Sequence, residues 1–133
     1  MSSEAAAAIV KMVPFAGHLG CEVVALGRSE VVVEALIRPE FCTSGGTAHG
    51  GFLMAVADFT GAVGAFQVLP EGAKGTTTIE SKTNMIGAAP AGSRLRATAT
   101  LLHAGRRTSV WSTRVETTEG KLISVTSQTQ LVL

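Results

Sequence analysis

The stretch "TAHGGFLMAVADFTGAVGAF", from Thr47 to Phe66, is the most hydrophobic segment of the chain. Pro70 and Gly72 follow it and end a helix that we predict over residues 49–69. Large apolar residues lie on nearly all sides of this helix, which is typical of a buried helix rather than a surface one. Asp58, the only Asp of the chain, lies in its middle.

Strand-like segments flank this helix on both sides. Two strands are predicted within residues 20–37, around a turn at Gly27 and Arg28, and a loop covers residues 38–47. After the helix, Thr-rich and alternating segments predict about four more strands. An antiparallel sheet wrapped round one buried helix is an α+β architecture known as the hotdog fold. In the last strand, the alternation places Ile123, Val125 and Leu131 on one face.

Length and composition favour one small domain that associates with copies of itself. The 133 residues fit a single domain, 1–133, in which residues 1–13 form a short helix that ends before Pro14. Hydrophobic residues make up 46% of the chain and charged residues only 16%, so some surface is expected to be hidden in an oligomer. The formal net charge is +1 and no basic block is present, which argues against a nucleic-acid partner.

The expected environment of the chain is the cytoplasm. The N-terminus lacks the basic region of a signal peptide. No uninterrupted apolar run is long enough to span a bilayer, so no membrane partner is expected. Cys21 and Cys42 have neither metal nor redox spacing, which suits a reducing compartment. The three His and the single Asp form no metal-ligand spacing, so no metal and no cofactor is expected.

The carboxylate of Asp58 needs partners, because burying an unpaired charge is costly. No basic residue lies three or four positions away on the helix, so a partner must come from another segment or another subunit. Asp58 either accepts structural hydrogen bonds at an interface or performs chemistry. The neighbouring "GGTAHGG" favours chemistry: Gly50 and Gly51 leave the first helical turn bare, and its free N–H groups attract a carbonyl oxygen or an oxyanion. His49 itself fits a cap or a core residue equally well.

Helix geometry then predicts a dimer. His49 and Asp58 are nine residues apart, or about 13 Å along the axis at about 1.5 Å per residue. The amides and the carboxylate of one chain therefore cannot reach the same carbon. If both act on one carbonyl, they come from two antiparallel helices, and two equivalent sites form at the interface.

The chain from about Gly17 onward resembles the hotdog thioesterases of the phenylacetate-degradation type, relatives of one branch of the 4-hydroxybenzoyl-CoA thioesterases. The resemblance rests on "GTAHGGFLMAVAD" and on the segment from "APAGSRLRATATLLHAGRR" to the C-terminus. It implies an acyl-CoA thioesterase that acts on aryl or short- to medium-chain acyl groups, as a homodimer that pairs further into a tetramer. Coenzyme A would be part of the substrate.

The resemblance also implies roles for individual residues. Gly50 would supply the oxyanion-hole amide, with His49 shaping the helix start and Gly51 beside it. Asp58 would act as general base or as nucleophile. Thr78 would orient the water, with Thr76 and Thr77 as rivals. The turn with Arg106, Arg107, Thr108 and Ser109 would meet the CoA nucleotide, because the forked donors of Arg suit phosphates. Phe52, Met54, Val56, Phe59 or Met85 would line an acyl tunnel.

One departure from the family pattern keeps a second hypothesis open. Many relatives carry Asn or Gln six residues before the His, and this chain has Thr43 there, whose hydroxyl reaches less far. A non-catalytic module that binds or senses acyl-CoA is therefore the alternative to the thioesterase. A hydratase or dehydratase ranks third, because that chemistry needs a His near the acid and only His18, His49 and His103 are available.

Overall fold

Six strands form one antiparallel sheet that packs against one long helix, as the sequence predicts. The computed structural model describes residues 2–133. Its helices are α1 (Ser3–Lys11), α2 (Pro14–His18) and α3 (Gly50–Gln67), and its strands are β1 (Glu22–Leu26), β2 (Glu30–Leu36), β3 (Thr76–Met85), β4 (Arg94–Ala104), β5 (Thr108–Thr117) and β6 (Leu122–Val132). The strand order is β1-β2-β4-β5-β6-β3, which confirms the α+β hotdog architecture.

The strand that follows α3 lies at the far edge of the sheet. β3 pairs only with β6 within the described residues, so its other side presents free backbone groups. A bulge between Thr78 and Glu80 interrupts its register with β6. β1 forms the opposite edge beside β2. The helix therefore bridges from the β1–β2 hairpin to the strand at the other border.

Helix α3 begins one residue after His49, which is its N-cap, and ends before Val68. Most of its side chains are buried against the sheet. One stripe is not covered, however: Met54 and Phe66 are exposed, and Asp58 is half-buried between them. The prediction of a helix buried on nearly all sides is therefore wrong for this stripe, because the sheet covers one side only and α2 covers little of the rest.

The two halves of the inner sheet surface differ in chemistry. Strands β2 and β4 present apolar side chains to α3, while β6 presents Ser124, Thr126, Gln128 and Gln130, all fully buried. The prediction that Ile123, Val125 and Leu131 share one face is wrong. Ile123 is the extra residue of a bulge opposite β5, so it is buried out of phase, and the other two are only half-buried.

The N-terminal segment forms two helices where the sequence predicted one. The predicted helix forms as α1, and α2 then begins at Pro14, whose fixed φ suits a first helical position. α1 packs on β1, and α2 contacts α3. None of the helices within residues 2–133 is long and apolar enough to cross a membrane.

Candidate active site

Asp58 receives its hydrogen bonds from two strands of its own chain. The Thr78 hydroxyl on β3 donates to Asp58 Oδ1 at 3.1 Å, and Gln128 Nε2 on β6 donates to the same oxygen at 3.0 Å. Gln128 Nε2 also lies 3.3 Å from the backbone oxygen of Asp58. The second carboxylate oxygen, Oδ2, accepts no hydrogen bond from residues 2–133. The carboxylate is thus held firmly at one oxygen only.

A buried polar network extends from this contact along the inner face of β6. Gln128 Nε2 lies 3.2 Å from Thr78 Oγ1, and Gln130 Nε2 donates to the same hydroxyl at 2.6 Å. The Thr76 hydroxyl lies 3.1 Å from Gln130 Oε1 and 3.0 Å from the carbonyl oxygen of Leu131. Thr76 therefore reaches Asp58 only through Gln130 and Thr78, and Thr78 alone of the Thr candidates contacts the carboxylate.

Neither Gln128 nor Gln130 was predicted from the sequence. Their signal is the segment "SVTSQTQ", in which polar residues recur at every second position of a strand. Such a pattern is typical of a solvent-exposed face, yet here it is the buried face, with Gln128 and Gln130 each 1% exposed. Thr77, on the opposite face of β3, is exposed and takes no part.

Of the two glycine amides in the first turn of α3, one is occupied and one is free. His49 Nδ1 accepts a hydrogen bond from the Gly51 N–H at 2.8 Å, so this imidazole caps the helix and occupies that amide. The Gly50 N–H has no acceptor within residues 2–133. Met85 lies over Gly50, where an added Cβ would be 3.1 Å from the Met85 Cε. Gly50, rather than Gly51, is the candidate donor.

An apolar cavity of about 140 Å³ lies beside Asp58, between α2 and α3. Its other lining residues are apolar: Val13, Phe15, Ala16, Leu19, Ala55, Phe59 and Ala62. A groove of about 220 Å³ continues along α3 to Phe66 and shares three lining residues with the cavity. Of the predicted tunnel residues, only Phe59 lines these spaces; Phe52 and Val56 belong to the core. Residues of α2, which the sequence analysis did not predict, supply the opposite wall.

The turn between β4 and β5 lies at the same end of the sheet as Thr78. Thr108 pairs with Leu131 on β6, which pairs in turn with Thr77 on β3, so two strand spacings, about 10 Å, separate them. Arg106 and Arg107 in this turn are exposed. Ser109 is buried and its hydroxyl accepts from the Trp111 indole at 3.1 Å, so this side chain does not face a ligand at the surface.

Thr43 lies in the loop before α3 and is engaged within that loop. Its hydroxyl accepts from the Gly45 N–H at 3.3 Å and lies 3.4 Å from the Thr47 hydroxyl. No hydrogen bond joins it to Asp58 or to the first turn of α3. Within residues 2–133, no group of three or more His, Cys, Asp and Glu side chains is arranged to hold a metal ion.

Comparison with known proteins gives consistent matches. The family model described as "Thioesterase superfamily" matches residues 45–124. A variant of the phenylacetic acid degradation protein PaaI from Thermus thermophilus is 32% identical, with a TM-score of 0.83 over 90% of this chain and 99% of that one. A thioesterase from Haemophilus influenzae is 25% identical, with a TM-score of 0.89 over 100% and 91% of the two chains.

A third solved structure is a hypothetical thioesterase from Streptococcus pneumoniae, determined with coenzyme A. It is 23% identical, with a TM-score of 0.78 over 85% of each chain. No curated protein matches the chain in sequence.

Proposed function

The chain belongs to the thioesterase superfamily and is a thioester hydrolase, and from that premise we propose that it hydrolyses acyl-CoA thioesters at a site shared by two copies of the chain. The observation that carries the proposal is the half-buried Asp58, held at Oδ1 by Thr78 and Gln128 and bordered by an apolar cavity. Family membership favours hydrolysis over the non-catalytic module that Thr43 suggested.

Asp58 drives attack on the thioester carbonyl in this proposal. As a general base, its carboxylate takes a proton from water, and the resulting hydroxide adds to the carbonyl carbon. The tetrahedral intermediate then expels the CoA thiolate, which takes up the proton, and a free acid remains. As a nucleophile, Asp58 displaces the thiolate itself and forms a mixed anhydride that water cleaves. Both routes use the same carboxylate and give the same products.

The Gly50 N–H is the proposed donor to the oxyanion. Free N–H groups at a helix start carry partial positive charge, and such donors stabilise the developing charge of an acyl-transfer intermediate. Gly50 lies eight residues before Asp58 on one straight helix, about 12 Å away, so the Gly50 that serves Asp58 belongs to a second copy. The uncovered stripe of α3 and the free edge of β3 support this pairing.

The substrate is proposed to be an aryl or a short- to medium-chain acyl-CoA. The cavity beside Asp58 has no polar side chain other than Asp58 itself, so it suits the apolar acyl group. Arg106 and Arg107 lie at the same end of the sheet and suit the phosphates of the CoA nucleotide. The coenzyme A bound to the Streptococcus relative supports this class of ligand.

The first experiment measures release of free thiol from a panel of aryl-, short- and medium-chain acyl-CoAs. We expect the wild type to release thiol and Asp58→Asn to release essentially none while still binding the substrate. No release by the wild type from any member of the panel would refute the proposal. Full activity of Asp58→Asn would refute the role of the carboxylate.

The Gly50 amide can be tested separately, because a proline is tolerated at this position. Gly50 is the first residue of α3, and His49 before it is already extended, with φ −65° and ψ 139°. Gly50→Pro removes the N–H and keeps the helix start, so kcat should fall about 100-fold or more. Gly50→Ala keeps the N–H and is the matched control. Equal activity of the two variants would contradict the assignment.

A further inference from the structure

The buried glutamines of β6 lie in the hydrogen-bond network around Asp58. We propose that Gln128 and Gln130 are positioning residues that fix the proton of the Thr78 hydroxyl on Asp58. Thr78 then orients the carboxylate and does not hold the attacking water, which differs from the role that the family resemblance implies. This inference rests on the proposed function, because it concerns the same carboxylate.

The hydrogen-bond capacity of Thr78 carries the inference. A hydroxyl group has one proton to donate and two lone pairs to accept. Gln128 Nε2 at 3.2 Å and Gln130 Nε2 at 2.6 Å both face the lone pairs of the Thr78 oxygen, and an amide NH₂ group cannot accept the Thr78 proton. The one proton is then left for Asp58 Oδ1, which lies 3.1 Å away. No proton of Thr78 remains for a water molecule.

The orientation of both amides follows from their neighbours. Turning the Gln128 amide over would place its oxygen against the Asp58 carboxylate and backbone oxygens, with no proton between them. Turning the Gln130 amide over would place its oxygen against the Thr78 hydroxyl. If that hydroxyl then donated to Gln130, no proton would lie between the Thr78 oxygen and the Asp58 carboxylate. Both alternatives are unfavourable beside a charged acceptor, since charge-assisted hydrogen bonds are the strong ones.

Gly61 on α3 makes room for this arrangement. A Cβ built on Gly61 would overlap Gln128 Oε1 and lie 2.9 Å from its amide carbon. Within residues 2–133 that oxygen has no hydrogen-bond donor, although it is fully buried. The absence of a side chain at Gly61 therefore leaves room for the Gln128 amide oxygen, which remains without a donor. In this orientation the Gln128 NH₂ group faces Asp58 and Thr78.

The consequence is an assignment of the two carboxylate oxygens. Oδ1 accepts from Thr78 and from Gln128, so its lone pairs in the plane of the carboxylate are occupied. Oδ2 is the oxygen that takes the proton from water or attacks the carbonyl carbon. Because both glutamines are fully buried and the Thr78 proton is directed to Asp58, the network holds Oδ2 in one place without contacting the substrate.

The experiment compares kcat and KM for Gln130→Met and Thr78→Val, alone and combined. Each variant should lower kcat about tenfold, with KM within about twofold of the wild type, since one lost positioning bond is worth about a factor of ten. In the Thr78→Val background, Gln130→Met should cause no further loss, because Gln130 reaches Asp58 only through Thr78. Gln128→Met should cause a further loss there, because Gln128 also contacts Asp58 directly.

Two other variants separate positioning from folding. Thr126→Val removes a buried hydroxyl that bonds only Thr83 on the same face, and its kcat should equal that of the wild type. Gly61→Ala displaces the Gln128 amide without changing any polar residue, and it should lower kcat as Gln128→Met does. Equal losses from Gln130→Met in both backgrounds, or no loss in either, would overturn the inference while thiol release by the wild type still upholds the proposed function.

A measurement without turnover completes the test. The Thr78 hydroxyl proton should give a proton NMR signal that exchanges slowly with water, identified by its loss in Thr78→Val. The signal should move in Asp58→Asn and exchange faster in Gln130→Met. A Thr78 hydroxyl that exchanges freely in the wild type would overturn the inference, whatever the enzyme hydrolyses.

Discussion

Two halves of one sheet pack against the same helix and do so with opposite chemistry. The β2–β4 half presents Val31, Val33, Ala35, Leu95, Ala97 and Ala99, none of which is exposed at all. The β6–β3 half presents Ser124, Thr126, Gln128 and Gln130, with Thr78 and Thr83 opposite them. The inward side chains of β6 are as deeply buried as those of β2 and β4, so burial alone does not distinguish a core from a site.

The difference lies in what each half requires of its neighbours. Apolar side chains need volume and contact, and many combinations of similar size satisfy them. Buried polar groups need a partner of the right kind at each atom, because an unpaired one costs free energy. The apolar half therefore stabilises the fold, while Thr78, Gln128 and Gln130 of the polar half specify the orientation of one carboxylate.

The largest effect is expected from Asp58→Asn in the polar half. The amide cannot take a proton from water, so kcat should fall about 10³-fold, within the range of general acid–base catalysis. Stability should change little, because the Asn carbonyl oxygen can still accept from Thr78 and Gln128. Thermal unfolding measured beside thiol release checks both statements. A large drop in the unfolding temperature with kcat retained would show that Asp58 stabilises the fold and does not act in the reaction.

The reverse outcome is expected from Leu95→Ala in the apolar half. Leu95 is fully buried against α3, and its truncation should lower the free energy of unfolding by about 2–5 kcal/mol. The kcat of the folded protein should stay close to that of the wild type. Denaturant titration gives the stability, and Leu102→Ala on the exposed end of the same strand is the control, with less than about 0.5 kcal/mol expected. A loss of kcat without a loss of stability would contradict the assignment of a purely structural role to the apolar half.

Gly64→Ala tests the boundary between the halves, where Trp111 of β5 packs on α3. An added Cβ would lie 2.7 Å from the fully buried indole ring, so the ring must move, at a cost of about 1–3 kcal/mol. Trp111 is the only Trp in the chain, so its fluorescence reports the displacement of the ring directly. Gly17→Ala in α2, where no atom lies within 4 Å, is the control: it should leave fluorescence unchanged and should not lower stability, because Ala favours a helix more than Gly does.

A pH-dependent effect is expected from Cys21, which packs in the apolar core just before β1. Burial raises the pKa of this thiol from 9.0 to about 11. The unfolded chain therefore loses the thiol proton first, and folding stability should fall as pH rises from about 9 to about 11. Unfolding free energies of the wild type minus those of Cys21→Ala isolate this slope. Cys42→Ala should keep it, and a wild type without the slope would contradict the desolvation of Cys21.

The two halves also differ in how far the sequence predicts them. The apolar strands and α3 follow from period-2 and helical patterns, which is why the fold was predicted correctly. The burial of Gln128 and Gln130 does not follow from the sequence, because alternation identifies two faces of a strand but not which face is buried. The bulge at Ile123 also shifts the phase of the alternation in β6. Asp58 is predictable as a site residue because it is a lone carboxylate among apolar residues, and Thr78 is predictable from the family resemblance.

Other errors arose from contacts that no local pattern encodes. The Gly51 amide is occupied because His49 turns back on its own helix, and Ser109 is buried because Trp111 reaches it. The short helix at Pro14 was missed because a Pro ends one helix as readily as it begins another. Its side chains then form a wall of the cavity beside Asp58, which the sequence assigned to α3 and β3 alone.

The separation of Gly50 and Asp58 on one rigid helix has a consequence for mixtures of defective chains. In the proposed dimer, a chain with Asp58→Asn still offers its Gly50 amide, and a chain with Gly50→Pro still offers its carboxylate. A hybrid of the two inactive chains holds one site with both lesions and one site with neither. Unfolding and refolding the two together should therefore raise hydrolysis well above that of either variant alone, which is intragenic complementation.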